Sequence, residues 1–151
     1  MKLSEVIAEL RTLNEPAPKP ARLPTETEVA AVEKRLGIRF QTDYRYFLLH
    51  GSDIIYGAVE PAMVTPDAGH LDLVELATEA WEVGVPAELL PFCESDGDYY
   101  CLKTNGRVLY WSDEGSINES WPNLATWIQQ VWMEEQEEQD EDEEPEEDDD
   151  E

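Results

Sequence analysis

The sequence predicts an α+β domain, and three observations carry that prediction. Amphipathic helical stripes fill the first half, aromatic-rich strand runs cluster between Leu90 and Trp111, and two turn signals separate those runs. Helices first and strands later is the order of an α+β chain, not of alternating βαβ units. At 151 residues, one domain is expected, long enough to bury roughly two-thirds of its unfolded surface.

Leu3, Val6, Ile7, Leu10 and Leu13 fall at helical spacing and predict a first amphipathic helix, with Ser4 and Glu5 in its first turn. Pro16, Pro18 and Pro20 then forbid helix and favour an extended linker, so this helix docks on the body as an appendage. Thr25 and Glu28 form a capping box for a second helix, whose stripe is Val29, Val32 and Leu36 and whose stop is Gly37. Ile38 and Phe40 bridge inward to a third helix, capped by Thr42, carrying Tyr44, Phe47 and Leu48 on its core face and halting at Gly51. Ile54 to Thr65, interrupted by Gly57 and Pro61, predicts one or two short strands. Asp72 to Glu75 repeats the capping pattern ahead of Leu73, Leu76, Ala77, Ala80 and Trp81, and Gly84 ends that fourth helix.

The strongest β signal follows. Leu90 to Glu94, Asp98 to Lys103 and Arg107 to Trp111 predict an antiparallel meander, turned at Ser95-Asp96-Gly97 and at Thr104-Asn105-Gly106. Asn105-Gly106 reads as a two-residue hairpin turn, since both residues must take positive φ there. Pro122 and Asn123 then open a last helix with Leu124, Trp127, Ile128 and Val131 on one face. The chain thus divides into an N-terminal helix (1–14), a proline-rich linker (15–22), a domain (23–133) and an acidic tail (134–151).

Charge is distributed unevenly. The formal net charge is −26, of which fifteen acids without a base lie between Glu134 and Glu151. A tail of that composition repels itself and has nothing apolar to bury, so disorder is expected. Residues 1–133 still carry 21 acids against 10 bases. Such a field opposes nucleic acid and anionic membranes, which need Lys and Arg to displace counterions. It attracts basic proteins, and it also serves to keep a small protein soluble. The N-terminus has no targeting pattern, no stretch approaches the roughly 20 apolar residues of a membrane span, and two cysteines are too few for a disulfide scaffold. A cytoplasmic protein is expected.

Catalysis finds no foothold in these residues. His50 and His70 have no Cys, His or acid at metal-ligand spacing on the same element, so neither a metal site nor a cofactor is expected. Cys93 and Cys101 fall on neighbouring strands and read as buried, inert thiols. Ser95-Asp96-Gly97-Asp98 lacks the closing glutamate of a calcium loop and reads as a turn. Ser112, Ser116 and Ser120 sit in no nucleophile elbow, and no phosphate-binding glycine loop is present. Five tryptophans are many for this length. Trp81, Trp111 and Trp127 read as core and Trp132 as partly covered, while Trp121, ahead of Pro122 at a helix entrance, reads either as core or as an aromatic placed to anchor a partner, with core packing narrowly the simpler reading. Around it, Glu94, Asp96, Asp98, Asp113, Glu114 and Glu119 form an expected acidic rim.

One stretch carries a family resemblance. A helix leading into Ile38-Arg39-Phe40-Gln41-Thr42-Asp43-Tyr44-Arg45-Tyr46-Phe47-Leu48-Leu49-His50-Gly51 resembles the signature of the SUKH superfamily, with Gln41 where proline is common and Gly51-Ser52 for a glycine pair. Gly97-Asp98, the run Val108-Leu109-Tyr110-Trp111, and Ser120 to Ile128 are similar as well. The resemblance spans roughly Leu23 to Trp132. It implies a mixed sheet flanked by helices and a binding role without a common catalytic residue. The superfamily groups bacterial immunity proteins against polymorphic toxins with fungal cell-wall synthesis regulators. An immunity protein facing a basic toxin, or a regulatory scaffold without one, is therefore implied.

Overall fold

The computed structural model describes residues 2–17, 21–112 and 119–134. Four strands form one sheet in the order β1 (Leu90–Ser95), β2 (Asp98–Leu102), β3 (Val108–Trp111), β4 (Ser120–Trp121). Every neighbouring pair is antiparallel. Among the described residues, the mixed character that the resemblance implied is confined to a single parallel bridge, Met63 to Asp72.

Helices cover both faces. α4 (Leu73–Glu82) packs on one face, where Gly84 brings the chain against the Trp111 ring. On the other face α3 (Thr42–His50) and α5 (Leu124–Trp127) meet the sheet, α1 (Leu3–Thr12) packs on both of them, and α2 (Glu26–Leu36) bridges α3 and α4. Aromatic rings pack edge to face through this second layer. Phe92 meets Trp127 at 5.0 Å and Tyr44 at 5.7 Å, and Trp127 meets Tyr100 at 5.2 Å.

α1 joins this same core: Val6 and Leu10 are fully buried in its hydrophobic cluster. Arg11 fastens the helix further by donating to the His50 carbonyl at 2.8 Å and to both Asp53 oxygens. A cation thus sits at the carbonyl end of α3, where the helix dipole favours it. α2 keeps its capping box, with Glu28 N–H donating to Thr25 Oγ1 and Gly37 closing the helix at φ 72°.

Several expectations are corrected. α3 is capped by Gln41, whose Oε1 accepts from Asp43 N–H at 3.0 Å, one residue before the expected Thr42. The segment from Ile54 to Thr65 makes isolated bridges instead of strands; Pro61 lacks an N–H, so a continuous ladder is broken there. It still covers the β1 edge, with Ala62 N–H donating to the Phe92 carbonyl at 2.7 Å. Ser120-Trp121, read as a helix entrance, is the short edge strand β4. Trp132 is fully buried because the last helix continues from Ile128 to Glu134 in a π register. With i→i+5 bonding, Trp127 and Trp132 come onto one face, 6.4 Å apart, and Trp132 Nε1 donates to the Tyr56 carbonyl.

The two hairpin turns are built differently. Asp96 and Gly97 both take positive φ, 53° and 88°, between the paired residues Ser95 and Asp98. This is the two-residue primed turn that matches strand twist. Asn105 does not take positive φ; Gly106 does, at 91°. Gly106 N–H donates to the Lys103 carbonyl and Lys103 N–H to that of Arg107, which makes a three-residue loop with glycine at the bulge.

Candidate functional site

Strand alternation decides where the expected acidic rim stands. Glu94 pairs with Tyr99 and both face α4, whereas Asp98 shares the opposite face with Tyr100 and Tyr110. The rim therefore splits into two groups.

The first group surrounds Tyr110. Asp98 accepts a hydrogen bond from the Tyr110 hydroxyl. That bond, followed by burial and by the charges of Asp98, Glu119 and Asp96, pushes the phenol up to about 12. Asp96 and Glu119 are exposed and Asp98 is half-buried. The Glu119 carbonyl accepts from Tyr110 N–H at 3.0 Å, which ties the approach to β4 onto β3. Asp113 and Glu114 lie outside the described residues.

Trp121 belongs beneath this group, not in front of it. Its side chain is 8% exposed and its ring lies 5.7 Å from that of Tyr100. A ring so covered cannot insert into a partner without leaving the core, so the structure corrects the anchor assignment: Trp121 supports the surface from below.

The second group lines a hollow of about 220 Å³ on the other face. Glu94 from β1 meets Glu75 and Glu79 from α4, with His70 at the side and Leu76 and Tyr99 in the wall. Glu75 and Glu79 are four residues apart and so occupy one stripe of the helix. Glu75 stands out in the sequence only as part of a helix cap and Glu79 not at all, because only the packing of α4 on β1 brings that stripe opposite Glu94. Burial, then the charges of Glu94 and Glu79, raise the Tyr99 phenol above its ordinary range.

The thiols of Cys93 and Cys101 are free and buried. Desolvation pushes each up to about 12, which suppresses the reactive thiolate. Among the described residues, no group of three or more His, Cys, Asp and Glu is placed to hold a metal ion. No helix among them is long and apolar enough to cross a membrane.

Comparison with known proteins agrees with this architecture. A family model described as SMI1-KNR4 cell-wall, SUKH_5, matches residues 3–133. The chain belongs to that family, within the SUKH superfamily. The match includes α1, which the proline linker had set apart in sequence. A solved structure of a protein from Pseudomonas syringae pv. tomato is similar at 42% identity, covering 87% of this chain and 98% of its own, with a TM-score of 0.82. No curated protein matches.

Proposed function

We propose that this chain is a non-catalytic protein-binding domain that acts as a cytoplasmic immunity protein, neutralising a basic toxin such as a nuclease. The observation that carries this reading is the grouping of Asp96, Asp98 and Glu119 around Tyr110, on a body with 21 acids against 10 bases. Complementary charge of this kind steers a basic partner into encounter and disfavours acidic ones. Asp113 and Glu114, from the adjoining sequence, belong to the same proposed rim. Membership of the superfamily and a bacterial relative at 42% identity support the immunity branch. The cell-wall wording of the family's description favours a second reading, a regulatory scaffold without a toxin partner.

The test begins with affinity capture from the native lysate and co-expression of the captured protein with this chain. A basic partner whose toxicity is suppressed on co-expression is the expected result. Replacing Asp96, Asp113, Glu114 and Glu119 by Asn or Gln should then slow association roughly tenfold at low salt and flatten its salt dependence, with dissociation little changed. An acidic partner, or association indifferent to salt, defeats the electrostatic mechanism. A partner harmless on its own leaves the scaffold reading in front.

A further inference from the structure

A pocket of about 120 Å³ opens where the bridge between α2 and α3 meets the start of β1 and the end of β2. We infer that the chain's own acidic tail docks there, with Glu143-Glu144-Pro145-Glu146-Glu147 as the seated segment. The inference stands apart from the toxin reading and does not depend on it.

The pocket combines an apolar floor with a cationic rim. Ile38, Trp81, Leu90 and Leu102 make the floor, and the Trp81 ring is held by its Nε1, which donates to the Leu89 carbonyl at 2.9 Å. Arg39 and Lys103 stand exposed at the rim, where Glu88 is the one acid. Among the described residues neither cation has an ion pair, whereas Arg11, Arg22 and Arg45 each have one. Lys34 and Arg35, in the last turn of α2 just ahead of the pocket, are likewise exposed and have no ion pair among those residues. Over most of a body with 21 acids against 10 bases, an anionic segment is repelled. At this pocket the local sign is reversed.

The occupant belongs to the same chain. Between Glu134, the last described residue, and Glu151 lie fifteen acids without a base. The eleven steps from Glu134 to Pro145 span up to about 36–40 Å when extended. A domain of this size has a radius of gyration of about 14 Å, so the segment reaches across the molecule. A tether of that length holds the tail at roughly millimolar effective concentration. Pro145 is the only ring in the tail and has glutamates on both sides. A proline ring suits an aromatic-walled pocket because its backbone is already restricted. Its flanking carboxylates then meet Arg39 and Lys103 at the rim. A docked tail covers the pocket and its cations, which leaves partner capture to the acidic rim around Tyr110.

The register of β1 with β2 supplies an internal control. Leu90 and Leu102 lie at one end of the pair, and Asp96 and Gly97 turn at the other. The full-length isotope-labelled protein, carrying Asp148→Cys with a nitroxide attached, would be followed by paramagnetic broadening in NMR; the native thiols are buried and do not compete for the label. Broadening at Ile38, Arg39, Lys103 and the Trp81 indole N–H is expected to exceed that at Asp96 and Gly97 severalfold. Salt at about 1 M, where the Debye length is about 3 Å, should remove the difference. Arg39→Gln with Lys103→Gln should remove it at low salt, and Pro145→Ser should reduce it severalfold with every charge in place. The contact is exposed and screened, so the melting temperature barely moves with it and the local signal is the readout. Even broadening over the surface, broadening concentrated at Asp96 and Gly97, or a difference that survives salt or the double substitution would each overturn the inference. So would broadening equally strong when the nitroxide sits on one chain and the isotope label on another, because the tail would then reach a second copy.

Discussion

Tyr110 and Asp98 show how one contact couples the acidic rim to pH. The hydrogen bond and the surrounding acids favour the protonated phenol, so its folded value, about 12, stands above the unfolded 10.0. A raised value means the contact stabilises the fold fully below about pH 10 and ceases to do so as pH climbs through about 12. Asp98→Asn should return the phenol toward its ordinary range, visible as earlier tyrosinate absorbance in an alkaline titration. At neutral pH it should cost about 1 kcal/mol, with solvent screening keeping the loss modest. That difference should shrink between pH 10 and 12. A stability gap constant across those values would mean that the hydrogen bond is not its source. Glu28 runs in the opposite direction: Arg22, then the Thr25 N–H, hold its carboxyl down to about 2. Its contribution is present above about 4.5 and fades as acid approaches 2.

At the scale of elements, the two hairpins invite a paired comparison. Gly106 takes φ +91°, and a Cβ there would stand 3.1 Å from Gln41 Nε2, so the turn rests on the residue that caps α3. Gly106→Ala meets both backbone strain and that side chain, and should destabilise by roughly 1–3 kcal/mol in denaturant unfolding. Gly97 takes φ +88° with open space around it. Gly97→Asn should cost less than about 1 kcal/mol, because asparagine tolerates the left-handed region. Equal losses at the two sites would show that the contact with Gln41 adds nothing. At Asn105-Gly106 local preference and structure differ: the dipeptide suits a primed turn, but the register of β2 with β3 requires a third loop residue.

For the molecule as a whole, the last helical turns mark where structure matters and where charge takes over. Truncation after Glu134 removes a segment without apolar residues and should move the melting temperature by about 2 °C or less. Truncation after Ile128 also removes Val131 and Trp132, which are 2% and 0% exposed. Loss of the tryptophan alone costs about 3–5 kcal/mol, so this shorter chain should melt at least about 10 °C lower or fail to fold. Thermal melts followed by circular dichroism would compare the two. If both truncations melted alike, the π-helical turns would not be part of the core.

By itself the sequence determined the helices with strong caps, the strand runs of the meander, and the family. These rest on local preferences: Thr25 with Glu28, Asp72 with the Glu75 N–H, and apolar spacing that only one secondary structure can bury. Tertiary structure decided the rest. α1 is separated by a proline linker yet fills the core, because Val6 and Leu10 find their partners far along the chain. Trp121 could be anchor or support until strand β4 turned its ring onto Tyr100. The acids expected to form one rim stand on two faces, since alternation along β1 and β2 sends Glu94 and Asp98 in opposite directions. Glu75 and Glu79 joined Glu94 only when α4 packed on the sheet. Spacing along a chain specifies which side chains share a face of one element; which faces meet depends on long-range packing, and the hollow bordered by Glu75, Glu79 and Glu94 lies where two of them do.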